Sequence, residues 1–146
     1  MIYEILPAHE IKEYLIENSW RHYDDIKDRS IYSKICVNWE VYEELSKEGL
    51  CWAVVAKDEG QIVAYNCFTL TADLNDNSEI LAIDVAMYID PKYRGKLVID
   101  FIKKCDKLLG TKEVKRVLRS FSDVRIGKLL ERADYKPRSI TLQKVL

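Results

Sequence analysis

The chain has 146 residues, 48% hydrophobic and 32% charged, as expected of one compact domain over residues 1–146. That apolar content excludes a disordered chain, and no apolar run is long enough to span a bilayer. A formal net charge of −1 conceals two opposed halves: residues 1–90 hold seven Lys/Arg against 18 Asp/Glu, and residues 91–146 hold 16 against six.

MIYEILPAHE meets a proline and acids too early for a secretory signal, so a cytoplasmic location is expected. Ile2–Leu6 reads as a first strand, and Pro7 opens a helix with Ile11, Tyr14, Leu15 and Asn18 on one face. Trp20–Ser33 loses this period and predicts a bend. Asn38 is placed to cap a second helix through Ser46, closed by Gly49. Cys51–Lys57 and Ile62–Thr71 form a predicted hairpin around the turn DEGQ. Ala72–Ser78 reads as a polar loop, and Glu79–Ile89 as a long apolar strand.

After DPKYRGK comes the clearest helical period: Leu97, Val98, Phe101, Ile102, Cys105, Leu108 and Leu109 share a face, and Gly110 ends it. Val114–Phe121 predicts a strand, and Asp123 caps a short helix carrying Ile126, Leu129, Leu130 and Ala133. Ser139–Leu146 alternates as a last strand. The order β-α-α-β-β-β-α-β-α-β implies an α/β (α+β) fold, a mixed sheet with helices on both faces. Cys36, Cys51, Cys67 and Cys105 make no C-x-x-C pair, and the two histidines, His9 and His22, lie far from them. No metal site is expected, and the cysteines read as buried free thiols.

The segment Asp90–Lys96 is a strand end, a proline turn and Arg-Gly-Lys leading into a helix. A helix N-terminus carries unpaired N–H groups and a positive dipole end. Gly95 lets backbone approach a ligand, and Arg94 and Lys96 add charge. Such a junction suits a phosphate or pyrophosphate, although an ordinary helix start with solvated basic flanks has the same composition.

The sequence IDPKYRGK between the fourth strand and third helix, with SDVRIGKLLERADYKPRSITLQKVL closing the chain, resembles the GCN5-related N-acetyltransferase (GNAT) superfamily. Its consensus is roughly hydrophobic-x-Pro-x-Tyr-Arg-Gly-Lys-Gly-x-Gly. The segment VNWEVYEELSKEGLCWAVVAKDEGQIVAY is similar to the divergent variant found in tailed bacteriophages. The resemblance covers essentially the whole chain. It implies a mostly antiparallel central sheet and acetyl-CoA as the acyl donor, held at Arg94, Gly95, Lys96, Leu97 and Val98, with Asp123 nearby. It also places Met87 and Ile89 along the pantetheine arm.

The departures are specific. Leu97 and Ile99 stand where the family has its phosphate-loop glycines, although a one-residue deletion in the loop fits equally well. Asp123 replaces the usual Asn, Leu130 the tyrosine that serves as general acid, and Asp134 a glycine. Direct transfer to an amine needs a base and a proton donor. Glu79 and Asp84 are the candidate bases, and Tyr88 and Tyr65 the candidate donors. Acids and aromatics from Trp20 to Tyr42, among them Tyr23, Asp24, Asp25, Asp28, Tyr32 and Trp39, suit a cationic acceptor such as a lysine side chain, a polyamine or an aminoglycoside.

Two rivals stand beside this reading. One is a catalytically inactive GNAT-fold phage protein acting as a binding or virion-associated module. The other is nucleic-acid binding through Lys103, Lys104, Lys107, Lys115, Arg116, Arg119, Arg125, Lys128 and Arg132, disfavoured because the aromatics lie in the other half. Apolar edge strands leave room for a homodimer without specifying one.

Overall fold

The computed structural model describes residues 1–25, 37–73, 76–121 and 124–137. The chain opens with strand β1 (Ile2–Pro7), which passes through one 3-10 turn (Ala8–Ile11) into helix α1 (Lys12–Asp25). This helix runs to Asp25, into the stretch Trp20–Ser33 where the sequence predicts a bend; the rest of that stretch lies outside the described residues. Helix α2 (Trp39–Lys47) starts as the sequence requires, with Asn38 Oδ1 accepting from the Val41 amide at 3.3 Å. It ends at Gly49, whose φ of +74° allows the Leu50 amide to return to the Leu45 carbonyl.

Strands β2 (Cys51–Asp58) and β3 (Gln61–Asp73) form the expected hairpin. Glu59 and Gly60 both have positive φ, matching the twist of the flanking strands. Strand β4 (Asp76–Ile89) pairs with β3 as far as Asp73 opposite Asp76. Within the predicted loop Ala72–Ser78, the described residues 72–73 and 76–78 are therefore strand. Helix α3 (Val98–Gly110), β5 (Val114–Leu118) and α4 (Val124–Glu131) follow. β5 stops three residues before Phe121. The predicted final strand, Ser139–Leu146, lies outside the described residues, as do Cys36 and the segment 26–36.

The sheet order is β1-β2-β3-β4-β5, antiparallel except for β5, which runs parallel to β4. Alternation along each strand builds two cores. On one face Val54, Ala56, Ala64, Phe68 and Ala82 pack against Leu97, Phe101, Cys105 and Leu109. On the other, Ala53, Val55, Tyr65, Cys67 and Tyr88 lie under Ala8, Ile11 and Leu15. The thiols of Cys51, Cys67 and Cys105 are free and buried. Burial raises each of them, Cys51 to about 11, so none is a ready nucleophile.

Candidate functional site

β4 and β5 pair only from Ile80 to Ile83, against Val114 to Leu118. Beyond that point β4 continues to Ile89 beside β3 alone among the described residues. Val85 is the extra residue of a bulge, since Cys67 faces Ala86 and Phe68 faces Asp84. The two strands thus part, and among the described residues the β4–β5 pairing does not extend to Met87 and Ile89.

A cleft of about 260 Å³ lies along this free edge, lined by Met87, Tyr88, Ile89, Arg94, Val98, Ile102, Ile126 and Leu129. Its walls are β4, the start of α3 and one face of α4, and most of its surface is apolar. Its basic end is the turn before α3. Gly95 adopts φ +87°, a conformation costly for side-chain-bearing residues, and a Cβ placed there meets nothing within 4 Å. The surface above it is open. Arg94 reaches back, donating from Nε to the Ile89 carbonyl at 2.8 Å with its guanidinium 5.6 Å from the Tyr88 ring.

The start of α3 differs from that of α2. Its N-cap residue is Leu97, which offers no side-chain hydrogen bond, so among the described residues no side-chain cap engages the first amides of the helix. Instead the Leu97 side chain turns into the core against Phe101. Its bulk therefore points inward and not into the turn.

Beneath the point of parting lies a buried polar cluster. Arg119 follows β5 and its side chain is 1% exposed. Its Nη1 donates to Asn66 Oδ1 at 2.6 Å and to Asp84 Oδ2 at 3.0 Å, and its Nε donates to Tyr135 Oη at 2.9 Å. Tyr135 in turn donates to Asp106 Oδ1 at 2.6 Å, which also faces Arg119 Nη2 at 3.4 Å. Asn66 Nδ2 donates to Asp84 Oδ1 at 2.7 Å and to the Ala86 carbonyl at 3.1 Å. Burial opposes the Arg119 charge, but the Asp84 carboxylate and Tyr135 hold it above the usual arginine range. Burial, reinforced by its bond to Asp106, also raises the Tyr135 phenol, which makes it a poor acid.

The structure brings Met87, Tyr88, Ile89, Arg94 and Val98 into one cleft, with Gly95 and Lys96 exposed at its mouth. It separates Glu79, which forms an ion pair with Arg116 at 2.5 Å at the far end of β4. Arg116 also pairs with Asp73. Both Asp84 oxygens accept hydrogen bonds within the cluster. Neither carboxylate stands as an unengaged base in the cleft. Asp123 lies outside the described residues, as do Asp28 and Tyr32 and the side chains of Trp20, Tyr23, Asp24 and Asp25. Two members of the basic series, Arg116 and Arg119, turn toward carboxylates inside the molecule. Among the described residues, no three His, Cys, Asp or Glu side chains gather to hold a metal ion, and no helix is long and apolar enough to cross a membrane.

Sequence reasoning missed Asn66, Asp106, Arg119 and Tyr135 as a unit. Asn66 and Asp84 each interrupt an apolar strand, and that interruption was the available signal.

The overall fold recurs in solved structures. An aminoglycoside acetyltransferase from an uncultured soil metagenomic sample, in complex with sisomicin, matches with TM-score 0.71 at 12% identity, covering 99% of this chain and 95% of that one. The fold is that of the GNAT acetyltransferases. The same GNAT fold is found in the ribosomal-protein-alanine N-acetyltransferase of Brucella melitensis biovar Abortus 2308 (TM-score 0.69, 11% identity, 100% and 99% of the two chains). It is found again in glucosamine-6-phosphate N-acetyltransferase from Arabidopsis thaliana (0.67, 16%, 99% of each). No family model and no curated protein matches the sequence.

Proposed function

We propose that the chain is an acetyl-CoA-dependent N-acetyltransferase that moves an acetyl group directly to a primary amine. The observation that carries this reading is the cleft beside the free edge of β4, which ends at an uncapped helix N-terminus and an open glycine turn. These residues fit the donor. The first amides of α3, with Arg94 and Lys96, suit its pyrophosphate. The backbone amides of Met87 and Ile89 would face its amide-bearing arm, and Met87, Ile102, Ile126 and Leu129 supply an apolar wall.

Acetyl-CoA, when bound, supplies an activated acetyl thioester. The protein's contribution is to orient the donor and acceptor, exclude water along the apolar wall, and handle one proton. The acceptor nitrogen loses a proton and the departing sulfur gains one, so the net reaction yields an amide and a free thiol. With Glu79 and Asp84 engaged elsewhere, the incoming amine gives its proton to solvent. Tyr88, a residue of the cleft lining whose ring stacks on Tyr65 in the α1-side core, is the phenol assigned the donor role that Leu130 cannot fill. Leu130 is buried among Ile102 and Ala133.

The acidic N-terminal half supports a cationic acceptor, namely a lysine side chain or protein N-terminus, a polyamine or a similar small amine. The likeness of residues 37–65 to the tailed-phage variant supports a phage origin and a host-cytoplasmic site of action. A second reading, a GNAT-fold module without catalysis, is favoured by Leu130 and by Ile99 at a phosphate-loop glycine position. Calorimetry with acetyl-CoA, followed by thiol release against a panel of amines, separates the two. Donor binding with turnover on at least one amine is expected, and absence of donor binding overturns the enzyme. Tyr88→Phe is expected to lower kcat by about 10²-fold with little change in donor affinity. An unchanged kcat removes Tyr88 from the mechanism.

A further inference from the structure

We infer that the buried cluster around Arg119 is a positioning device that sets how β4 and β5 part, and with it the shape of the donor cleft. The inference rests on reading that cleft as the acetyl-CoA site. The last backbone pair between the strands is Ile83 with Leu118. The next residue in each case, Asp84 on β4 and Arg119 just after β5, is a member of the cluster, and the two are joined through their side chains at 3.0 Å. A charge pair thus takes over where the backbone ladder ends.

The cluster also reaches every wall of the cleft without lining it. From β3, Asn66 is bonded to Asp84 on one side of the bulge residue Val85 and to the Ala86 carbonyl on the other. One buried amide therefore spans the bulge from which the free edge of Met87 and Ile89 begins. On the α3 side the cluster ends in Asp106, one turn beyond the cleft residue Ile102. On the α4 side it ends in Tyr135, which packs with Met87 and Val98 against Ile102, Leu130 and Ala133.

A buried ion pair adds little stability over apolar residues of similar volume. What it adds is fixed distance and direction, because a guanidinium fork bonds several acceptors in one plane. The cluster residues are positioning residues, not catalytic ones.

Two double variants and one single variant test this. Asp84→Leu with Arg119→Leu keeps the burial and removes the ties, whereas Asp84→Asn with Arg119→Gln keeps hydrogen-bonding capacity without charge. Amide hydrogen exchange at Val85–Ile89 in the ligand-free protein reports the strand geometry, and acetyl-CoA calorimetry reports the cleft. The leucine pair is expected to keep its helical circular dichroism, exchange about tenfold faster at these amides and bind about tenfold more weakly. The Asn/Gln pair is expected to stay within about threefold of wild type in both. If the leucine pair does not fold, Asn66→Ala, which leaves the ion pair in place, gives the same two readouts. Wild-type exchange at Val85–Ile89 in the leucine pair, or in Asn66→Ala should that pair not fold, overturns the inference. Failure of the wild-type protein itself to bind acetyl-CoA overturns the proposed function instead, and the exchange data still decide the role of the cluster.

Discussion

Arg119→Met isolates the contribution of one buried charge. Methionine keeps much of the length of the side chain and its contact with the Phe68 ring, over which the guanidinium lies at 5.1 Å. What disappears is the cation that faces Asp84 and Asp106 and donates to Asn66 and Tyr135. Asp84 is then left as a carboxylate 13% exposed that has lost its cation, with the Asn66 amide still donating to it. Removing one partner of a buried ion pair costs about 3–5 kcal/mol. Domains of this kind have about 5–15 kcal/mol in total, so the loss is a large fraction.

Unfolding entropy near Tm is about 2.1 cal/mol/K per residue, or about 0.3 kcal/mol/K for 146 residues. The expected fall in Tm is therefore about 10–16 °C, read by calorimetry or by circular dichroism at 222 nm. Adding Asp84→Leu to the same protein removes the stranded charge and is expected to recover most of the loss. An Arg119→Met protein melting within about 2 °C of wild type refutes the reasoning, because the cation would then be dispensable to its buried partners.

Gly95→Ala meets no steric obstacle, so its cost is the positive φ, about 1 kcal/mol of stability with weakened donor binding; an unchanged Tm and affinity contradict it. Asp134 holds φ +67° where the family resemblance places a glycine, so Asp134→Gly is expected to raise stability by up to about 1 kcal/mol in chemical denaturation, and a loss contradicts it. Hydrogen bonds from Lys12 and then Lys47 lower the Glu43 carboxyl to about 2. This pairing is fully present above the ordinary glutamate pKa and is lost as pH falls toward 2, so wild-type Tm should decline over that window more than that of Glu43→Gln. Parallel declines would show that the Lys12–Glu43 link between the helices contributes nothing.

Much of the fold was legible because its signals are local. The Asn38 cap, the Glu59–Gly60 turn and the α3 period each depend on neighbours within a few residues. Ala72–Ser78 was misread because its polar composition resembles a loop. Pairing with the opposite strand outweighs that composition, and Arg116 of β5 pairs with Asp73 at its end. The mouth of the cleft was legible as a short motif. Arg119 was not, because its partners Asn66, Asp84, Asp106 and Tyr135 come from four other parts of the chain. In sequence it looks like one more lysine-rich-surface cation; only burial distinguishes it from Lys115 nearby. Leu97 was legible as a departure from the glycine pattern, but its direction was not, since the inward turn is set by contact with Phe101.

The central claim is that the turn before α3 and the free edge of β4 form one donor site. Amide hydrogen exchange with and without acetyl-CoA tests it most directly. Slowed exchange is expected at Arg94–Val98, extending to Met87 and Ile89, with α2 and the β2–β3 hairpin unchanged. Protection confined to other segments, or none at saturating acetyl-CoA, contradicts it.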